Sequence, residues 1–136
     1  MLSFGTYNQK FKPNRTAADW LCSDETELDK YLADPLVRRD ISSGLFRDLL
    51  GSMKRTGSAN EYDGWDTSLP ILLISGQDDP VGDAGKGVQA IYNRMKKTGM
   101  ENVTLKLFPG ARHDLLHEEG SGAEEARKLI GEWMNR

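Results

Sequence analysis

The feature that most limits the possible folds is a pair of short apolar runs with a helical pattern between them. Ile71-Leu72-Leu73-Ile74 is a continuous apolar run bounded by Pro70 and by Gly76. It is too short for a helix, and it suits a strand buried on both faces of a parallel sheet. Residues 84–98 follow, with Val88, Ile91, Tyr92 and Met95 on one side and Gly99 as a C-terminal stop. Residues 103–108, VTLKLF, then alternate and end at Pro109-Gly110. Strand, crossover helix and second strand imply a parallel pair with helices over its faces. A last helix is predicted over about 122–134, with Ala126, Leu129, Ile130 and Trp133 inward and a capping box from Ser121 and Glu124.

Upstream of Leu69 the pattern changes. Residues 1–20 read as irregular. Residues 24–33 read as a helix capped by Ser23 or Asp24, with Leu28, Tyr31 and Leu32 on its apolar face, and Asp34-Pro35 stops it. Residues 43–55 repeat Leu45, Phe46, Leu49, Leu50 and Met53 at helical spacing, and residues 55–68 read as a polar linker. The division is therefore a helical segment with linker, 1–68, before a βαβα core, 69–136.

The totals narrow the class. With 136 residues there is room for one domain, and 38% hydrophobic residues with a mean hydropathy of −0.60 leave the core thin. A net charge of −3 provides no basic footprint for nucleic acid. Cys22 is the only cysteine, so no internal disulfide and no cysteine metal cluster can form, which suits a reducing, cytoplasmic setting. No run has the length of a transmembrane span, and the first residues do not have the form of a signal peptide.

The chemistry sits at the carboxyl ends of the two strands, where open parallel sheets carry their sites. Asp78 and Asp79 follow the first strand; Arg112, His113 and Asp114 follow the second. Parallel strands deliver both loops to one edge, so a carboxylate and an imidazole can meet there. Such a pair supports a nucleophile, the carboxylate fixing the tautomer and stabilising the imidazolium. Asp79 also has a plainer reading as a turn residue before Pro80, and His113 as a hydrogen-bonded surface histidine. Asp78 is expected to cap the turn or face water. His113 and His117 lie four apart, but no Glu is placed as in a zinc helix. The stretch GDAGKG, 82–87, has neither the spacing nor the Ser/Thr of a phosphate loop, and its glycines read as turn and packing positions.

Together, LPILLISGQDDPVG and VTLKLFPGARHD resemble the C-terminal segment of α/β-hydrolases, in particular the lysophospholipase and monoacylglycerol-lipase-like, serine aminopeptidase S33-type group. The family's Gly-x-x-Asp turn matches Gly76–Asp79, and its Pro-Gly-x-x-His pattern matches Pro109–His113. The stretches FGTYNQKFKPNRTAADWL and DKYLADPL resemble the cap insertion of bacterial members. The resemblance implies an α/β-hydrolase C-terminal part, with parallel strands and flanking helices, preceded by a helical cap. It implies Asp79 as the acid and His113 as the base of a Ser-Asp-His triad acting on carboxylic esters of lysophospholipid or monoacylglycerol type, with no metal or organic cofactor. It would place Tyr7, Asn8, Phe11 and Trp20 near an acyl chain.

One element of the family pattern is missing. No serine of the 136 residues lies in Gly-x-Ser-x-Gly. The expected partners are a small lipid or ester substrate in the complete enzyme, and a front-half polypeptide or second copy across an open sheet edge. The chain alone is expected to be inactive. The alternatives are a non-catalytic half-hydrolase that pairs with another chain, and a flavodoxin-like phosphate binder, for which no early glycine-rich loop is present.

Overall fold

The computed structural model describes residues 4–37, 42–56, 62 and 64–135. Helices α1 (Phe4–Tyr7), α2 (Glu25–Ala33) and α3 (Ser43–Thr56) precede strand β1 (Ile71–Gly76), helix α4 (Lys86–Lys97), strand β2 (Val103–Phe108) and helix α5 (Ser121–Met134). Short 3-10 turns occupy Asn8–Phe11 and Leu115–His117. Of the linker read at 55–68, residues 57–61 and 63 lie outside the described residues, and 55–56 are the last residues of α3.

The strands pair in parallel, in register from Ile71 with Val103 to Gly76 with Phe108. Alternation sorts their side chains onto two faces. On one face Ile71, Leu73 and Val103 pack with Tyr92 and Met95 of α4 and with Met100 and Tyr62. On the other, Ile74 and Phe108 pack with Ala126 and Leu129 of α5 and with Ala111 and Leu115. Lys106, also on this face, reaches Glu125 of α5 at 2.9 Å. The core is thus two thin layers around one strand pair, with a helix on each side.

Several local expectations hold with a clear cause. Asp24 caps α2, its side chain accepting from the N–H groups of Thr26 and Glu27 at 2.9 and 3.0 Å. α4 ends before Gly99, which takes φ +88°. Others do not hold. Residues 4–11, read as irregular, form a helical turn and a 3-10 turn. Ser121 makes no capping box: Gly120 is the N-cap at φ 72° and ψ −149°, so Ser121 is already inside the helix. α4 starts at Lys86 rather than 84, because Asp83, Ala84 and Gly85 all have positive φ and cannot belong to a right-handed helix. Ile71–Ile74 are only half-buried, since the sheet has two strands among the described residues and one edge of β1 has no neighbour.

The N-terminal segment, residues 15–24, packs on α2 in a third cluster of Ala18, Cys22 and Leu28 with Leu21 and Leu32. Asp19 organises its turn: the buried carboxylate accepts from the N–H groups of Arg15 and Thr16 at 2.7 and 2.9 Å. α3 contrasts with it. Its apolar repeat is present, but Leu45 and Met53 are 61% and 60% exposed, and Leu49 and Leu50 are exposed with them.

Candidate active site

Asp79 and His113 meet at the carboxyl edge of the strand pair. The His113 Nδ1 lies 3.1 Å from Asp79 Oδ2. Two backbone features make this possible. Gly76, the last residue of β1, runs directly against the chain at Ala111 and Arg112: a Cβ there would overlap both backbone oxygens and lie 2.6 Å from the Ala111 carbonyl carbon. Across this contact Gln77 N–H donates to Phe108 O and Asp78 N–H to Ala111 O, each at 2.9 Å. The two loops therefore leave the sheet already joined, with Asp79 one residue beyond Asp78 and His113 two residues beyond Ala111.

The turn after β1 holds the carboxylate. Asp79 Oδ1 accepts from Val81 N–H at 2.8 Å, and Asp79 O accepts from Ala84 N–H at 2.8 Å. The left-handed run at 83–85 folds the chain back so that Gly87 N–H reaches Gly82 O at 3.0 Å. Burial pushes the Asp79 carboxyl up, but hydrogen bonds from His113, Val81 and Gly82 and the nearby imidazole charge outweigh it, and its pKa lies below the ordinary 3.8. His113 moves the other way. The hydrogen bond to Asp79 raises it above 6.5 against the opposing effect of burial, with the charges of Asp79 and Asp114 adding to the rise.

The pair is asymmetric in exposure. The Asp79 side chain is 10% exposed and that of His113 is 41% exposed. With Nδ1 on the carboxylate, Nε2 is the imidazole edge left to meet a reacting group. Beside the pair is a cavity of about 480 Å³ whose walls include Ile74, Val81, Val88, Leu115 and Leu116. It is an apolar space that ends on a carboxylate–imidazole pair.

The other sequence candidates have separate partners. Asp78 pairs with Lys10 at 3.2 Å and does not touch His113. His117 pairs with Asp114 at 2.9 Å. No group of three metal-donor side chains occurs among the described residues. Of the residues placed near an acyl chain by resemblance, Trp20 lies against His113, with ring centroids 5.2 Å apart. Tyr7 packs on Trp20, Asn8 accepts from Trp20 N–H at 2.9 Å, and Phe11 lies under the Arg112 guanidinium.

Two residues have roles at the site that the sequence does not reveal: Arg112, known from sequence only as an ionisable residue after the second strand, and Glu118. Arg112 donates through Nη1 to the carbonyls of Asp19 and Cys22. Buried Glu118 accepts from the N–H and hydroxyl of Ser23 and from Arg112 N–H. With Asp114 N–H donating to Leu21 O at 2.6 Å, they fasten residues 19–24 to the histidine loop. A charged Glu that is buried despite lying between polar neighbours leaves no mark in the sequence pattern.

A parallel strand pair, helices on both faces and an Asp–His pair at the carboxyl edge fit the α/β-hydrolase fold class. Residues 3–120 match the family described as serine aminopeptidase, S33, and the chain belongs to that family. Among solved structures it is similar to a thermostable carboxyl esterase from Bacillus coagulans in complex with glycerol, at 25% identity and TM-score 0.84, covering 97% of this chain and 43% of that one. It also resembles a lipase in an open form, at 22% identity and TM-score 0.74, covering 95% of this chain and 43% of the lipase. A monoacylglycerol lipase from Paleococcus ferrophilus aligns at 22% identity and TM-score 0.66, covering 86% and 42%. The chain thus spans less than half the length of these structures. No curated protein matches it. No helix among the described residues is long and apolar enough to cross a membrane.

Proposed function

We propose that this chain supplies the acid and base of a serine hydrolase acting on carboxylic esters, with monoacylglycerol or lysophospholipid as the substrate type. The observation that carries the reading is the 3.1 Å bond from buried Asp79 to His113 beside an apolar cavity. Asp79 holds His113 with Nδ1–H donating to the carboxylate, leaving Nε2 to take the proton of a serine hydroxyl and return it to the departing alcohol. The serine comes from polypeptide outside these 136 residues, because none of their serines has the elbow pattern. Residues 1–68 act as the cap over the site and 69–136 as its core part. Membership of the S33 family and the similarity to a carboxyl esterase support the ester chemistry.

The test is p-nitrophenyl ester hydrolysis by two samples: the purified chain, and the native species immunopurified from source cells with an antibody against the chain. No turnover is expected from the chain alone. The native species is expected to turn over and to lose about 10³-fold or more in rate with His113→Ala. A native species with no hydrolase activity overturns the reading. Activity of the chain alone that disappears in His113→Ala overturns the assignment of the serine elsewhere.

A further inference from the structure

One contact at the Asp79–His113 pair has no part in the proton relay: that of Trp20 with His113. Trp20 belongs to the N-terminal segment, far from the strand pair in sequence, yet its ring lies on His113, with a 39° angle between planes. The 5.2 Å centroid separation is within the range of attractive aromatic pairs and of a cation over an indole face. The contact is built rather than incidental. Asn8 Oδ1 accepts from the Trp20 backbone N–H, Tyr7 packs at 5.2 Å on Trp20, and Leu21 O receives Asp114 N–H, one residue from His113. Arg112 binds the carbonyls of Asp19 and Cys22, on either side of Trp20–Leu21.

From this geometry we propose that Trp20 is a positioning residue for His113: its indole covers one face of the imidazole, fixes the ring plane and stabilises the imidazolium. A contact through the ring face leaves both nitrogens free at the edge, Nδ1 for Asp79 and Nε2 for the reacting proton. The charged groups around the imidazole are Asp79 from the turn after β1 and Asp114 from its own loop. Arg112 is turned away onto Phe11 and the carbonyls of residues 19 and 22, and Lys10 is paired with Asp78. The indole is therefore the aromatic component added to a largely anionic surround. The cap segment then does more than cover the site, since it completes the base.

The catalytic consequence rests on the hydrolase reading, but the ring contact does not, and an imidazole titration by NMR on the chain separates them. Trp20→Leu keeps an apolar cover over His113 and removes the aromatic face, so desolvation is matched and the quadrupole is lost. The His113 midpoint is expected to fall by about 0.5 unit in Trp20→Leu and by less in Trp20→Phe. His117, bonded to Asp114, serves as the internal reference and should not move. An unchanged His113 midpoint in Trp20→Leu, or an equal shift of His117, overturns the proposal. Should Trp20→Leu fail to fold, the wild-type spectrum decides: the carbon-bound ring protons of His113 must lie upfield of those of His117 through the indole ring current, and their absence from that position overturns it. In the assembled enzyme the acidic limb of kcat/KM should move down in pH with the His113 midpoint. An NMR shift without any hydrolase activity would leave the ring contact standing and remove the hydrolase reading.

Discussion

At the residue scale, the Asp79–His113 bond links stability to pH over a definite window. His113 has a folded pKa raised above 6.5, so its contribution is fully present below 6.5 and is lost as pH rises through the folded value. Asp79 has a folded pKa held below 3.8, so its contribution is present above 3.8 and is lost as pH falls through the folded value. Both hold between those limits. The coupling of Asp79→Asn and His113→Gln in a double-mutant cycle of melting temperatures should therefore peak near pH 5 and decline on either side. A coupling that is flat from pH 3 to 8 would show that the two side chains do not form an ion pair in solution. Gly76 has a steric role next to this pair. Gly76→Ala sets a Cβ into the Ala111–Arg112 backbone, which cannot yield without parting the two loops. We expect a loss of about 3 kcal/mol in urea unfolding. The ring proton signals of His113 should also shift, because the loops that bring Asp79 to it have separated. Wild-type stability in Gly76→Ala would contradict this packing.

At the element scale, the histidine loop and the N-terminal segment behave as one unit held by Glu118. Its buried carboxylate satisfies three donors at once: Ser23 N–H, Ser23 hydroxyl and Arg112 N–H. Glu118→Ala leaves those donors without this acceptor and is expected to cost about 2 kcal/mol. Amide hydrogen exchange should then speed up together at residues 21–24 and 111–114, while α4 is unaffected. Acceleration confined to one of the two segments would show that Glu118 does not link them. This unit also marks the limit of what the sequence makes legible. The strand–helix–strand pattern follows from the local apolar period, which places Asp78, Asp79 and His113 at one sheet edge; the choice of Asp79 over Asp78 comes from the resemblance to the family's Gly-x-x-Asp turn. The Ser23–Glu118 link joins residues 95 apart through one carboxylate, and no periodicity announces it. The left-handed run at Asp83–Gly85 is legible only at its glycine, because Ala84 at φ 54° is a conformation that alanine ordinarily avoids. Ser121 has the right residue three positions before Glu124 and still makes no cap, since Gly120 takes the cap position first. The apolar period at 43–55 matches α3, but a helical period says which side is apolar and not whether anything covers it.

At the scale of the whole molecule, the chain exposes more surface than its mass requires. A folded monomer of 15.2 kDa is expected to expose about 7,100 Å². The observed surface is 9486 Å². The excess is larger than the roughly 1,200–2,000 Å² that a stable protein–protein interface buries in total. Its apolar part has identifiable sources: the exposed face of α3, with Leu45, Leu49, Leu50 and Met53, and the half-buried strand β1, one edge of which is unpaired among the described residues. A net charge of −3 offers little repulsion to oppose contact between copies. We therefore expect the purified chain to associate, with light scattering after size exclusion giving a mass above 15.2 kDa that rises with loading concentration. Because apolar surface drives the contact, sodium sulfate should strengthen association, whereas an ion-paired contact would weaken as salt screens it. Replacing Leu45, Leu49 and Met53 together with Gln separates the two sources. If α3 is the contact, the triple variant becomes monomeric while its far-UV circular dichroism keeps the helix signal. If the variant associates like wild type, the contact lies at the β1 edge. A compact 15.2 kDa species at every concentration would mean that the excess surface is covered from within the chain, and the pairing reading would fail.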